Sequence, residues 1–301
     1  MWEKSFSHIV SNTPRGVTFA FKDGSTAKSD LLVGADGINS AVRAFVSPGT
    51  NPEYVITALN FCVPATTFPK DFPARFSMTT QHGAFIATPQ NPLGKEKLCF
   101  RLLPISEPEG NEEVKKREWK RLAADKEWAL SMLRKDIDSL PELWRMAIDS
   151  VDKVHIGVWP FHVLPKLPSW ASLAETEGGE GGGIILIGDS AHGLPPSGAQ
   201  GANQAFEDAY TLAFALSQIS TDAPLKTVLE SWQNRRTERV DQISRMTMQM
   251  NVARLPPQAQ QKLIEEGKWS KSWERSFSGD FYRWLYVPNL KESFLDQVKD
   301  S

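Results

Sequence analysis

The sequence predicts an α/β fold: a parallel sheet buried on both faces, interrupted by a unit of short strands and followed by helices. Three observations lead there. Ile184–Ile187 is an apolar run without alternation, bounded by glycines, as expected of a strand covered on both faces of a parallel sheet. It ends at Gly188 and Asp189, which places a carboxylate at the carboxyl edge of a strand, where open α/β sheets hold ligands. Leu31–Val33 repeats the pattern before Gly34-Ala35-Asp36-Gly37. Between these runs, residues 49–160 are dotted with proline (Pro52, Pro64, Pro69, Pro73, Pro89 and others, with Pro48 just before), which suits short strands separated by turns.

In chain order, Phe6, Ile9 and Val10 read as the end of an element whose partner is missing. Gly16–Phe21 alternates Val17, Phe19 and Phe21 with small or polar neighbours, a half-buried strand, and Lys22-Asp23-Gly24-Ser25 is a hairpin turn signal. Ser40 is placed to cap a short helix carrying Arg43. Tyr54–Leu59, Ala74–Met78, Gly83–Thr88 and Lys97–Leu103 are strand candidates. Glu112–Leu133 reads as a charged helical block whose charges form a solvated face. Leu140–Ile148 reads as a short helix with Pro141 in its first turn. His155–Val163 leads back toward the first part of the chain.

The glycine cluster Gly178–Gly183 precedes a strand and reads as a loop. After Gly201 an amphipathic helix is predicted, with Ala205, Phe206, Ala209, Leu212, Ala213 and Leu216 as its apolar face. Ser231–Met250 is a long helix with a basic stripe including Arg235, Arg236 and Arg239, most simply surface charge pairing. Leu255-Pro256-Pro257 breaks it, and the aromatic stretch Trp269–Leu290 reads as packing against the rest of the protein. The divisions are 1–48, 49–160, 161–220 and 221–301.

Composition excludes several classes. The 301 residues carry 34 basic and 36 acidic side chains, a formal net charge of −2, which argues against a charge-driven nucleic-acid binder. No apolar run approaches the roughly 18 residues that span a bilayer, and the N-terminus shows no signal-peptide segment. Cys62 and Cys99 form no Cys-x-x-Cys pair, so reduced thiols and a cytoplasmic setting are expected. The five histidines show no metal-ligand spacing, and no metal is expected.

Two motifs are specific. Gly188-Asp189-Ser190-Ala191-His192, Pro195-Pro196, Gly198-Ala199-Gln200-Gly201-Ala202-Asn203 and Glu207-Asp208-Ala209 resemble the GD motif of single-component FAD-dependent aromatic-hydroxylase-type monooxygenases. Leu31–Arg43 resembles the same family's DG motif, and the two stand in the family's order. The resemblance implies a truncated Rossmann-like FAD-binding domain, an inserted antiparallel substrate sheet and a helical C-terminal region. It implies FAD as cofactor, NAD(P)H as co-substrate and a small aromatic or polycyclic substrate. It assigns Asp189 to the ribityl chain, Pro196 and Gly198 to the loop bordering the flavin ring, and Gly201, Ala202 and Asn203 to the pyrimidine oxygens. Asp36 and Arg43 become second-rank cofactor residues, with a plainer reading as a corner that holds the strand–helix turn. The resemblance also makes His155, Trp159 and His162 pocket candidates, set against the plainer reading of core or surface residues.

The family's Gly-x-Gly-x-x-Gly fingerprint and ribose carboxylate do not occur in this sequence, so the chain resembles a member lacking its N-terminal part. Three readings follow: an FAD monooxygenase, in secondary metabolism for example; a flavin-free descendant using the inherited pocket for cyclisation or isomerisation; and an inactive binding module. The retained motifs favour the first. His192 is the one weak catalytic candidate. Histidine as a residue type suits acid–base work near neutral pH, but fixing the loop after the strand is the favoured role. Gly-x-Ser-x-Gly, required for a nucleophile elbow, is not formed around Ser190.

Overall fold

The computed structural model describes residues 3–80, 83–174, 182–253, 257–267 and 279–286. The first strands are β1 (Phe6–Thr13), β2 (Gly16–Phe21), β3 (Thr26–Ser29) and β4 (Leu31–Gly34), followed by the short helix α1 (Arg43–Val46). Then come β5 (Glu53–Pro64), β6 (Phe76–Thr80), β7 (Gly83–Pro89) and β8 (Glu96–Leu103). Helices α2 (Glu112–Ala124), α3 (Lys126–Leu133) and α4 (Glu142–Asp149) lead to β9 (Gly157–Val163), β10 (Ala171–Leu173) and β11 (Gly183–Leu186). The rest is helical: α5 (Asp189–His192), α6 (Gly201–Leu216), α7 (Leu225–Ala253), α8 (Pro257–Glu265) and α9 (Gly279–Tyr286).

The chain divides into two compact units, one of residues 1–53, 162–250 and 271–301, the other of 54–161 and 251–270. In the first unit β11 pairs in parallel with β4, from Gly183↔Leu31 to Leu186↔Gly34, and β10 pairs antiparallel on its other side. Ile184, Ile185 and Leu186 are wholly buried, as the unalternating run demands. Their core includes Val42, Trp170, Leu212 and Trp232. A separate sheet orders β1-β2-β3. The N-terminal apolar residues expected to lack a partner therefore have one: β1 pairs with β2 from Phe6↔Phe21 to Thr13↔Gly16. The turn depends on Gly16, at φ +115°, where a Cβ would stand 2.5 Å from the Ser29 carbonyl oxygen.

The second unit is built on a five-stranded sheet of order β6-β7-β8-β5-β9, with the pairs β6–β7, β7–β8 and β8–β5 antiparallel. One face carries the core: Leu59, Phe61 and Val63 of β5, Phe85 and Ala87 of β7, and Cys99 and Leu103 of β8, packed against Leu133, Trp144 and Ile148 of the helices. The charged block expected as one helix over Glu112–Leu133 is two. Asp125 ends α2 and caps α3, its carboxylate accepting from the Trp128 N–H at 2.9 Å. A short polar side chain competes with the helix backbone for hydrogen bonds at such a position. Asn111 caps α2 in the same way.

The greatest departure concerns α6. Half of its expected apolar face is outside: Phe206 is 75% exposed, and Ala209 and Ala213 are exposed too, while Leu212 is buried and Ala205 and Leu216 are half-buried. The buried side holds Gln204, Glu207, Asp208 and Thr211 beside Leu212 and Ala215. Buried carboxylates need partners, and α7 provides them. Arg236, expected on a surface stripe, is 2% exposed and paired to both carboxylates. Of the Gly178–Gly183 loop only Gly182 and Gly183 fall within the described residues, and much of the aromatic stretch 269–290 lies outside them.

Candidate functional site

The parallel register of β4 and β11 brings the two glycine–aspartate turns together. The Ile187 N–H donates to the Gly34 carbonyl at 3.0 Å. The Ser190 hydroxyl lies 2.6 Å from the Gly34 oxygen and 2.7 Å from that of Ile187. Arg43 adds a further tie: its guanidinium donates to the Ile38 carbonyl at 2.6 Å and to the Ser190 carbonyl at 3.3 Å. Burial lowers the pKa of this group, with the Asp36 charge opposing. Asp36 accepts from the Ala41 and Val42 N–H groups at 2.7 and 3.2 Å, and the Ser40 hydroxyl accepts from the Arg43 N–H at 2.8 Å. Asp36 and Arg43 thus build the corner that positions both turns. Arg43 is 3% exposed, with its side chain directed at protein carbonyls.

Gly188 adopts φ +60° and opens the turn, where a Cβ would come within 3.0 Å of Ala205. Asp189 follows with its side chain exposed. Its Oδ1 lies 3.6 Å from where a Cβ on Gly201 would stand, so the carboxylate sits beside the first residue of α6. No side chain caps α6. The first N–H groups of a helix have no partner within it, and the dipole there favours negative charge. Ala202 and Asn203, in that first turn, are exposed. Two buried polar atoms near this corner, Gln200 Nε2 and His192 Nδ1, have no hydrogen-bond partner among the described residues. Pro196–Gly198 forms a 3₁₀ turn, and Gly198 packs so closely on α7 that a Cβ would stand 2.3 Å from Thr247 Oγ1.

Beneath the turn lies a buried ionic cluster. His192 Nε2 is 2.6 Å from Asp208 Oδ2, which also accepts the Gly188 N–H at 2.7 Å. Asp208 Oδ1 accepts from Arg236 Nε at 2.7 Å. Glu207 accepts from Arg236 Nη1 at 2.8 Å and from Arg239 at 2.5 and 2.8 Å. Burial raises the Asp208 pKa, but the hydrogen bond and charge of His192, then Arg236 and the Gly188 N–H, outweigh it and hold the carboxyl below its ordinary range. Trp170 packs on His192 at 5.1 Å between ring centres and on Trp232 at 5.8 Å. Glu207, Asp208, Arg236 and Arg239 were not singled out as a cluster from the sequence. The available signal was a Glu-Asp pair on a helix followed by arginines one helix later.

The remaining pocket candidates are scattered. His155 ends a 3₁₀ turn and is exposed, Trp159 is 52% exposed on β9, and His162 is half-buried. Among the described residues no group of His, Cys, Asp or Glu is arranged to hold a metal ion. A cavity of about 570 Å³ lies in the second unit, walled by Leu103, Ile105, Leu122, Trp128 and Met132.

Residues 171–247 match the family model described as FAD binding domain. They include the turn, the helix and the buried ionic cluster just described. The chain is similar to FAD-dependent monooxygenases. It is 27% identical over 281 residues to the 3-amino-4-hydroxybenzoate 2-monooxygenase PtmB3 of Streptomyces platensis, covering 92% of this chain and 63% of that protein. It is 29% identical over 236 residues to the FAD-dependent monooxygenase atnJ of Arthrinium sp, covering 75% of this chain and 51% of that one. The chain therefore spans about half to two thirds of the length of these relatives. In fold it is similar to Klebsiella pneumoniae HpxO complexed with FAD and uric acid, with a TM-score of 0.63 and 21% identity over 87% of this chain and 61% of the other. The truncated FAD-binding fold with an inserted antiparallel sheet and helical C-terminal region is the architecture these likenesses support.

The residues present fit the flavin-ring end of such a cofactor. Free helix N–H groups, an exposed carboxylate and a glycine that leaves room beside it converge at the start of α6. No Gly-x-Gly-x-x-Gly turn for the pyrophosphate occurs in the sequence.

Proposed function

We propose that this chain serves FAD-dependent oxygenation of a small aromatic or polycyclic molecule, using O₂ and NAD(P)H, in secondary metabolism for example. The observation that carries the reading is the uncapped start of α6 with Asp189 exposed beside Gly201, in a stretch that matches an FAD binding domain. When bound, the flavin supplies the redox chemistry, taking reducing equivalents from NAD(P)H and using O₂ to oxygenate the substrate ring.

The chain's own residues bind and orient. Asp189 would hold the ribityl chain. The N–H groups of Gly201, Ala202 and Asn203 would serve the pyrimidine end, where donors aimed at negative charge act most strongly. Pro196 and Gly198 would border the ring. Asp36 and Arg43 hold the corner that sets both turns. His192 acts by fixing the turn through Asp208. The five-stranded sheet of the second unit offers a face for the substrate, as the resemblance implies. Among the described residues no helix is long and apolar enough to cross a membrane, and two free thiols suit a cytoplasmic setting.

The alternative reading is a flavin-free use of the same scaffold for cyclisation or isomerisation. The FAD-supplemented chain separates the two. NAD(P)H oxidation stimulated by an aromatic compound is expected for the first reading. A folded chain that oxidises no NAD(P)H with any of a panel of hydroxybenzoates and larger phenols supports the second.

A further inference from the structure

The five-stranded sheet has two faces, and only one belongs to the core of its unit. Side chains alternate along a strand. In β5, Leu59, Phe61 and Val63 enter the core, so Asn60 points to the other face. The register places Asn60 opposite Phe100, and Phe100 opposite Ile86. Leu102 lies two residues along on the same face, opposite Ala58 and Ala84. In β9, Val158 packs against the core, which turns Trp159 and Phe161 to the same second face, their rings at 4.8 Å and nearly perpendicular. Ile86, Phe100 and Leu102 are each half-buried, yet none packs into a hydrophobic core of either unit.

Asn60 is the polar residue in the middle of this apolar surface. Its side chain is half-buried and makes no hydrogen bond among the described residues. Its place is nevertheless fixed. A Cβ on Gly157 would stand 2.4 Å from Asn60 Oδ1 and 2.9 Å from Nδ2, so the amide lies across the bare backbone of β9. A glycine in a strand interior weakens the strand and often marks close approach by another group. An amide held on an apolar wall, with one acceptor and two donors unused, is suited to a ligand that is flat and apolar except for one hydrogen-bonding group.

We propose that Asn60 is a specificity residue. It selects a planar aromatic ring bearing a hydroxyl or amino substituent, which donates to the Asn60 carbonyl and, for a hydroxyl, accepts from its NH₂, while Phe100, Ile86 and Trp159 contact the ring. This rests on the monooxygenase reading only for the purpose of the site, because the recognition involves the second unit alone. A site built around a hydrogen bond to a substituent discriminates against the analogue lacking it, because the protein group is then left unpaired.

The test is equilibrium dialysis of the full chain with salicylate, 3-amino-4-hydroxybenzoate and benzoate, comparing the parent with Asn60→Leu and Gly157→Ala. The parent should favour at least one substituted ring over benzoate by about tenfold. Asn60→Leu keeps the shape and loses the amide, and its ratio should fall to about one. Gly157→Ala leaves Asn60 in the chain but evicts the amide from its resting place, and should lower the ratio as well. A melting curve on each variant separates recognition from folding, since a structural role alone would lower the affinity for all three rings together. A parent that prefers no substituted ring, or an Asn60→Leu variant that keeps the parent's ratio, overturns the proposal. Flavin content is scored separately: a chain that discriminates rings but takes up no flavin refutes the monooxygenase reading and leaves Asn60 its role.

Discussion

Replacing Arg236 with Met tests how the turn is held. The Arg236 side chain is 2% exposed and donates to Asp208 at 2.7 Å, to Glu207 at 2.8 Å and to the Gln204 side chain at 2.8 Å. Methionine preserves most of the apolar stem and removes the charge. Two carboxylates then remain buried with one cation fewer. Breaking a buried ion pair from one side costs about 3–5 kcal/mol. The lower end applies here, because Glu207 keeps Arg239 at 2.5 Å and Asp208 keeps His192 at 2.6 Å and the Gly188 N–H at 2.7 Å. The expected loss of about 3 kcal/mol corresponds to a fall in Tm of roughly 6–12 °C for a unit of this size. Urea denaturation followed by tryptophan fluorescence measures it, since Trp232 and Trp170 lie against the cluster. A double-mutant cycle with Asp208→Asn should show a coupling of more than about 1 kcal/mol. A loss below about 1 kcal/mol, or full additivity, would refute the claim that these charges depend on one another.

Other outcomes follow from the same geometry. Asp208 has a depressed folded pKa, so its contribution to stability is complete above the unfolded carboxylate value of about 4 and is lost as pH falls through the folded value. Asp208→Asn should therefore flatten the acid limb of stability against pH below about 4, and an unchanged limb would contradict the assignment. Gly198→Ala should cost about 1–3 kcal/mol, because the new Cβ would meet Thr247 Oγ1 at 2.3 Å while that hydroxyl is held by the Ile243 carbonyl at 2.9 Å. Gly201→Ala, by contrast, meets Asp189 at 3.6 Å and should leave the melting temperature unchanged while weakening flavin binding. Burial pushes the Cys99 thiol up to about 12 and raises that of Cys62 as well. In a disulfide-reagent titration at pH 8 the half-buried Cys62 should react slowly and Cys99 only after unfolding; rapid release of two equivalents from the folded chain would contradict this.

How much was legible depends on whether the signal was local. The buried strand at Ile184–Leu186 was readable because both faces must be apolar; Leu31–Val33, expected to be covered in the same way, pairs with it but is only half-buried, with Val33 41% exposed, because it has a strand partner on one side only. The strands of the second unit were readable from the prolines that separate them, although β5 runs on to Pro64, beyond the Leu59 expected. The burial face of α6 was not readable. Periodicity assigns the core to Phe206 and Ala209, and only the arrival of Arg236 and Arg239 from α7 makes Glu207 and Asp208 the better residues to bury. The close approach of Asn60 to Gly157 was equally hidden, since nothing in either local sequence names the other strand. Cys62 and Cys99, distant in sequence, stand on adjacent strands, but each pairs with the other's neighbour, Leu98 and Phe61, which puts their side chains on opposite faces of the sheet.

The central claim is that the start of α6 and Asp189 receive a flavin. Its most direct test is titration of the full chain with FAD, followed by flavin fluorescence, in parent and Asp189→Ala. The account predicts saturable binding by the parent and binding at least about tenfold weaker in the variant, with equal melting temperatures without flavin. A folded parent that shows no saturable binding, or a variant that binds as well as the parent, would contradict it.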